Sequence, residues 1–408
     1  MIKKLFEGLP REVSILVAAS YLVSIGFGII LPAIPVFAKS FGVNNTAIGL
    51  IISAFAIARF STGLIAGVLV ERFGERTVFA TGVFLVSIST LFAAVAQSYL
   101  QLLIFRTAGG LGSSMFSVAA SSVIMRSVGD SQRGRAQSLY QSAFLMGGIA
   151  GPVIGGILSI ISLRAPFFVY SILLFISGMI ALFFLKGIQI GEKVNLKVGD
   201  ETTTVSIALA LKPYRIALIL TFISSWIFYG LRSSILPIFV TEELNSTIAF
   251  VGYGIAISAI FQGVFLMKAG RYSDTKGRKF VALIGSHVVL VGIIMLTFAT
   301  NVWIYLAAMA VIGFGGAFLA TVPASIVGDI IKGKGGKVIA ILQMAGDAGM
   351  IVGPIVVGWL SDLYSYRIAF GASAAIFLLA LYLVYQIPET RNSEGPQVNN
   401  LKPLDEDH

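Results

Sequence analysis

LYQSAFLMGGIAGPVIGGIL, residues Leu139 to Leu158, is apolar almost throughout, long enough to cross a bilayer, and holds Gly147, Gly151, Pro152, Gly155 and Gly156. In water so many glycines would weaken a helix. In lipid, small residues four apart let a second helix approach backbone to backbone, and neighbouring helices re-satisfy the carbonyl that a proline frees. The stretch reads as a membrane helix built for close packing. It returns at Ile341 to Leu360 as ILQMAGDAGMIVGPIVVGWL. At a shift of 202 residues, Gln141, Ala143, Gly147, Ile149, Gly151, Pro152, Gly156 and Leu158 fall on Gln343, Ala345, Gly349, Ile351, Gly353, Pro354, Gly358 and Leu360. Eight identities in twenty positions, at half the length of the chain, point to a duplicated unit, an organisation found in transporters.

Composition agrees with the membrane class. Hydrophobic residues make up 57% and charged residues 12% of the 408, with a mean hydropathy of +0.92, against about 25% charge in soluble domains. A net charge of +10 would suggest nucleic acid in a soluble protein, but the apolar runs leave no room for such a domain. With no Cys, disulfides and thiol chemistry are excluded. Lys3 and Lys4 precede an apolar run from Val13 that is too long for a signal-peptide core and lacks a small-residue cleavage site, so it reads as a retained first helix.

Twelve spans follow, centred near residues 26, 58, 87, 114, 149, 176, 228, 258, 289, 316, 350 and 377. With both termini cytoplasmic, 23 of the 29 Lys and Arg fall in the termini or inner loops; Lys39, Arg164 and Arg367 lie outside, and Arg59, Arg106 and Arg232 within spans. That asymmetry sets the expected orientation of a multi-pass plasma (inner) membrane protein. The expected layout is a six-helix half over 1–186, a cytoplasmic linker over 187–214, a second half over 215–388, and a disordered cytoplasmic tail over 389–408. The fold class is all-α integral membrane, two parallel six-helix repeats around a central cavity.

The inner loop after span 2 reads GVLVERFGER, with Gly67, Glu71, Arg72, Gly74 and Arg76; the loop after span 8 reads GRYSDTKGRK, with Gly270, Asp274, Gly277, Arg278 and Lys279. Gly turns the chain, the acid suits a helix N-terminus, and the bases bridge helix ends, so each loop is expected to latch helices that separate when the protein changes face. At these residues the sequence resembles the major facilitator superfamily, whose signature occupies these two places. The second loop matches it fully; the first has Glu71 for the usual Asp and Glu75 for the usual Arg, which implies a differently wired latch. Arg106, Gly109, Gly110 and Gly112 are similar to the superfamily's span-four motif, whose Arg is linked with proton coupling. The run Gly147, Gly151, Pro152, Gly155, Gly156 looks like the span-five motif of the drug:proton antiporter branch. The resemblance implies twelve helices in two rocking halves and proton-driven export of a small organic compound.

Ionisable residues inside a membrane are costly and are functional candidates. Arg59 and Asp347 fall near mid-depth, Arg106 and Arg232 in the outer half. Asp347 is the one carboxylate that the sequence puts deep in a span. Apolar surroundings disfavour its charge and a neighbouring Arg favours it, a balance suited to a proton carrier. Arg106 cannot release a proton, so its part would be to tune an acid, water or substrate. The substrate cavity is expected to draw on Arg59, Arg232, Gln141, Gln343, Phe27 and Tyr229. Three buried arginines against one aspartate argue for a neutral or anionic amphiphile rather than a permanent cation. No cofactor is expected beyond the proton gradient; the expected partners are a small-molecule substrate, protons and the bilayer, with no nucleic acid. One chain holds both repeats and so suffices as a monomer. An importer or facilitator of a nutrient or metabolite shares the fold, though the acidic-proline segment of sugar carriers is replaced here by LKGIQIGEKV. A non-transporting membrane sensor or assembly partner would be expected to degrade the latch loops or add a soluble domain; the intact Gly270 to Lys279 loop counts against it. No nucleotide-binding loop or metal cluster suggests an enzyme.

Overall fold

The structure, a computed structural model, describes residues 9–128, 130–185, 204–330 and 336–390. Twelve long helices occupy the expected places: Arg11–Lys39, Asn45–Phe73, Glu75–Ala94, Tyr99–Ser127, Asp130–Ile161 and Ala165–Phe184 in the first half, then Lys212–Glu243, Ile248–Lys276, Arg278–Thr297, Val302–Ile330, Gly336–Leu363 and Tyr366–Tyr385. They are numbered here as spans 1 to 12. Helices are the solution because lipid offers no partner for backbone N–H and C=O groups. Side-chain caps satisfy their first turns where they emerge: Asn44 accepts from Ala47, Ser98 from Gln101 and Ser365 from Ile368. Large apolar side chains cover the outside, among them Ile161 at 79%, Met267 at 75% and Trp303 at 70% exposed, a surface fit for acyl chains rather than water.

The repeated glycine–proline segment has two working faces. In span 5, Gly147 and Gly151 lie against Ser24, Ile25 and Gly28 of span 1, and Gly155 against Ile29. On its other face, Gly156 meets Ala249 of span 8, and the Pro152 carbonyl approaches Gly252. Span 11 does the same with its own partners. Gly349 and Gly353 lie against Phe222, Ser225, Trp226 and Gly230 of span 7, while Gly358 meets Asn45 and Thr46 of span 2 and the Pro354 carbonyl approaches Gly49. The segment therefore fastens its own half with one face and the opposite half with the other. A Cβ at position 151 would sit against the backbone of Ile25 and Gly28. We expect Gly151→Val to destabilise by about 1–3 kcal/mol through overpacking, visible as a lower melting temperature in detergent. Gly148→Ala, where a Cβ meets nothing within 4 Å, should melt like the wild type.

Each half has its own core. Phe79, Phe167 and Leu174 are among the buried residues of the first, Tyr214, Tyr305, Phe370 and Phe377 of the second, and a small cluster of Phe55, Ala56 and Met350 bridges them. Polar ties between the halves gather toward one end, called the tight end below. Asp362 of span 11 accepts from the backbone N–H of Asn45 (2.8 Å) and Thr46 (2.7 Å) and from the Thr46 hydroxyl (2.6 Å). Lys39 pairs with Glu242 at 3.8 Å, and deeper in, the Ser53 hydroxyl donates to the Ile351 carbonyl at 2.6 Å. Toward the other end, Gln141 and Met146 of span 5 and Gln343 and Met344 of span 11 are exposed.

The expected linker lies mostly outside the described residues. Its described part holds a short helix, Val205–Ala210, and span 7 starts at Lys212, before the expected boundary. The tail beyond residue 390 is also outside them. The first two residues of the expected tail, Glu389 and Thr390, are instead described and hydrogen-bonded to the second half.

Candidate functional site

Span 7 is irregular where the sequence placed Arg232 and Pro237. Its backbone widens to a π-helix over Trp226–Ile235 and again over Phe239–Glu243, with Leu236–Ile238 between. The Ser233 hydroxyl donates to the Phe228 carbonyl five residues back, at 2.9 Å. Proline lacks an N–H and crowds the carbonyl four residues earlier, and wider turns absorb that conflict. Such turns favour functional sites, and this one aims Phe228, Tyr229 and Arg232 at a cavity.

That cavity, about 460 Å³, is lined by spans 7, 8, 9, 10 and 11. Its size lies within the range of about 300–1,000 Å³ usual for small-molecule sites. The sequence led us to expect a cavity between the halves, whereas this one lies within the second half. Among the described residues Arg232 is the sole charged one on its wall; Ser225, Ser258 and Gln262 add polar groups, and Ile227, Val289, Ile312 and Leu319 make much of the rest apolar. The Arg232 guanidinium stacks 4.5 Å from the centroid of the Phe228 ring, and its Nη1 donates to Ser258 at a long 3.5 Å. Arg232 is 8% exposed, and its Nε has no protein partner.

Between the halves, Arg59 of span 2 and Asp347 of span 11 feel one another electrostatically, as do both with Tyr229 of span 7. Arg59 also acts on Tyr140 of span 5, the neighbour of Gln141 in the quoted segment, to which the sequence assigned no role. No ion pair joins Arg59 to Asp347 among the described residues, and neither is fully buried. The two half-buried residues thus stand on opposite halves, near enough to interact electrostatically but without an ion-pair contact.

Arg106, 5% exposed, lies 4.8 Å from the Phe55 ring centroid. It lines a gap of only about 20 Å³ with Phe27, Tyr229, Ser233 and Met350. Phe27 therefore belongs to this closed gap rather than to the larger cavity, while Tyr229 lines both. Gln141 and Gln343 are exposed and are not on the cavity wall, where Gln262 supplies the amide. His287 is on the periphery, its Nδ1 2.7 Å from the Leu283 carbonyl and its Nε2 2.9 Å from the Tyr385 hydroxyl.

The two motif loops differ from the latch expected of them. In the first, Gly74 turns the chain at φ 80° and Glu75 is buried against Arg126 of span 4 at 2.7 Å. Glu75 rather than Glu71 thus carries that loop's ion pair to span 4; Glu71 and Arg72 are exposed, and Gly67 lies inside the helix. In the second, Gly270 is likewise helical, Gly277 turns at φ 102°, and Arg278 becomes a hub. Its guanidinium donates to Asp329 of span 10 at 3.0 and 3.2 Å, to Asp274 at 2.7 Å and to Ser273 at 2.9 Å. Glu389 caps the start of span 9 by accepting from the backbone N–H of Arg278 (2.8 Å) and Lys279 (3.2 Å). These ties stay within one half. Among the described residues, the loops in this conformation clamp each half rather than latch the two together.

Comparison with known proteins places this geometry among related chains. The family model described as Major Facilitator Superfamily matches twice in tandem, over residues 16–232 and 217–405. The quinolone resistance protein NorA of Staphylococcus aureus is 25% identical over 385 residues, covering 91% of this chain and 96% of NorA. An uncharacterized MFS-type transporter of Methanocaldococcus jannaschii is 25% identical over 381 residues, covering 92% and 98%. Among solved structures, a bacterial homolog of the human lysosomal transporter Spinster, inward-facing and unoccupied, superposes with a TM-score of 0.77 at 14% identity, over 93% of this chain and 97% of that one. The nucleoside transporter NupG gives 0.73 at 14%, over 92% and 99%. Below 25% identity these two speak for the fold alone.

Proposed function

Because the chain belongs to the Major Facilitator Superfamily, and so is a multi-pass membrane transporter and not an enzyme, we propose that it is a proton-coupled exporter of small amphipathic organic compounds at the plasma membrane. The observation that carries this reading is the pair Arg59 and Asp347, set on opposite halves and electrostatically coupled without an ion-pair contact. A carboxylate so placed can hold a proton in one arrangement of the halves and lose it in another, as its distance from the Arg changes. Efflux is favoured by the similarity to a quinolone resistance protein over nearly the whole chain. With the basic loops cytoplasmic, the tight end faces outward and the conformation is inward-open, ready to load from the cytoplasm. Arg106 and Arg232 would set the electrostatics of the path, and the protein would work as a monomer.

The test is transport in proteoliposomes with an imposed pH gradient, inside acidic, using neutral, anionic and cationic amphiphiles. We expect gradient-driven movement in the wild type, and Asp347→Asn to fall to the rate seen without a gradient while still binding substrate. Movement that ignores the gradient and survives the substitution would leave a facilitator, with Asp347 a structural residue. Inward accumulation driven with the gradient reversed would leave an importer.

A further inference from the structure

We propose that the cavity of the second half is a binding site for an organic monoanion, its negative group seated on Arg232 and its apolar body along spans 7, 9 and 10. The inference rests on the transporter reading only for the consequence of binding; the site itself is argued from its walls. Four observations meet there.

The first is room. Arg106 and Arg232 are both buried and both stacked on a phenylalanine, yet Arg106 faces a gap of about 20 Å³ and Arg232 a cavity of about 460 Å³. Only the second has space for a ligand. The next is unspent hydrogen-bonding capacity. A guanidinium carries five donors in a planar fork. Arg232 lines the cavity with one long hydrogen bond to Ser258, and its buried Nε has no protein partner, so the protein leaves much of the fork's donor capacity unused.

The sign of the site comes third. Among the described residues no carboxylate stands on the cavity wall, and the neighbours that act electrostatically on Arg232 are the phenols of Tyr305 and Tyr229. A buried cation without a counter-ion is costly; an anionic ligand removes that cost, and a cationic ligand adds to it. A neutral ligand does neither. The last is the shape of the polarity. The polar groups Ser225, Arg232, Ser258 and Gln262 lie on spans 7 and 8, while Val289, Ile312, Leu319 and Pro323 on spans 9 and 10 offer an apolar wall. That division fits a ligand with one charged end and an apolar body. A carboxylate matches the fork in two parallel hydrogen bonds, which makes an aromatic or aliphatic carboxylate the best-fitting class.

Gly316 supplies an independent handle. It lines the cavity, and a Cβ built on it meets nothing within 4 Å, so a larger side chain there fills the cavity without pressing on the helices.

The experiment measures binding to the full-length protein in nanodiscs, with no pH gradient, using dansylglycine, its methyl ester and dansylcadaverine: one fluorescent body with a carboxylate, a neutral ester or an ammonium. We expect the carboxylate to bind at least tenfold more tightly than the other two. Arg232→Gln should abolish that preference while leaving ester affinity within about twofold, and Arg232→Lys should keep part of it. Gly316→Phe should weaken all three at least tenfold, which covers the case of an Arg232 variant that does not fold. Equal or tighter binding of the ester or the amine to wild type overturns the proposal. So does a carboxylate preference that survives Arg232→Gln, affinity unaffected by Gly316→Phe, or no binding by any of the three below 1 mM. Failure of proton-coupled export shows separately, as gradient-independent movement in proteoliposomes, and leaves these binding outcomes intact.

Discussion

Asp362→Ala opens the tight end. In the wild type this carboxylate, on the second half, accepts three hydrogen bonds from Asn45 and Thr46 at the start of span 2, on the first half. The first N–H groups of a helix lack intrahelical partners and carry the positive end of the helix dipole. Asn44 satisfies only Ala47 from within the half. The cap that completes this helix therefore crosses the moving interface, and it exists only while the tight end is closed. An interaction made in one state and not the other biases the equilibrium by its full worth. Charge-assisted hydrogen bonds contribute about 1.5–3 kcal/mol when shielded; for three at an exposed site, a combined loss of about 2–3 kcal/mol is reasonable, equal to a shift of about 30- to 160-fold in the closed-to-open ratio. The nearby Lys39–Glu242 pair is exposed and loose at 3.8 Å, so its removal should shift the ratio less than fivefold. The chain has no Cys, so spin labels go directly onto Gln97→Cys and Thr300→Cys, exposed positions on opposite halves beside the tight end. We expect the short-distance population of the wild type to give way to a longer one in Asp362→Ala, with Asp362→Asn between them. Unchanged distances would mean that the apolar contacts of spans 2 and 11 hold the end shut alone.

The reach of the sequence is set by how local each signal is. The span 5 and span 11 segments were legible because close packing in lipid demands small residues at fixed spacing. That code is written along one helix, and both of its faces are in use at the repeated positions: Gly28 lies against Gly147 and Gly151 as Gly230 lies against Gly353. Asp347 was the one acid that the sequence placed deep in a span; what the structure adds is the residue that acts on it, Arg59 of the opposite half. What escaped depends on how helices turn toward one another. Nothing local to Arg106 and Arg232 says which one faces space, because the cavity wall is drawn from five helices. Nothing local to Asp362 or Asp329 names its partner either, since those partners lie 317 and 51 residues away. Glu75 was noticed as a departure from the family pattern, and its buried pairing with Arg126 gives that departure a use.

Arg278→Gln should cost stability rather than shift the equilibrium between states. The contrast with Asp362 follows from topology: Asp274, Asp329, Ser273 and the backbone of span 9 all lie in the same half as Arg278, so the hub is present whichever way the halves tilt. Its side chain is 12% exposed and that of Asp329 21%. Removing one partner of a buried pair costs about 3–5 kcal/mol, because the other charge is left without compensation; the remaining exposure of Asp329 puts the expected loss near the low end, about 3 kcal/mol. Thr390 also donates to Asp329, at 2.8 Å, and limits the damage further. In detergent we expect a clear drop in melting temperature for Arg278→Gln and a similar drop for Asp329→Asn. The double variant should lose little more than either single one, since both remove the same interaction. Arg278→Lys should recover only part of the loss, because an ammonium cannot bind two oxygens of Asp329 and reach Asp274 at once. The distance between labels at Gln97 and Thr300 should be unchanged in all four. A shift toward the open tight end in Arg278→Gln would show that the hub exchanges partners with the first half during the cycle, which is the latch that the loop sequence suggested.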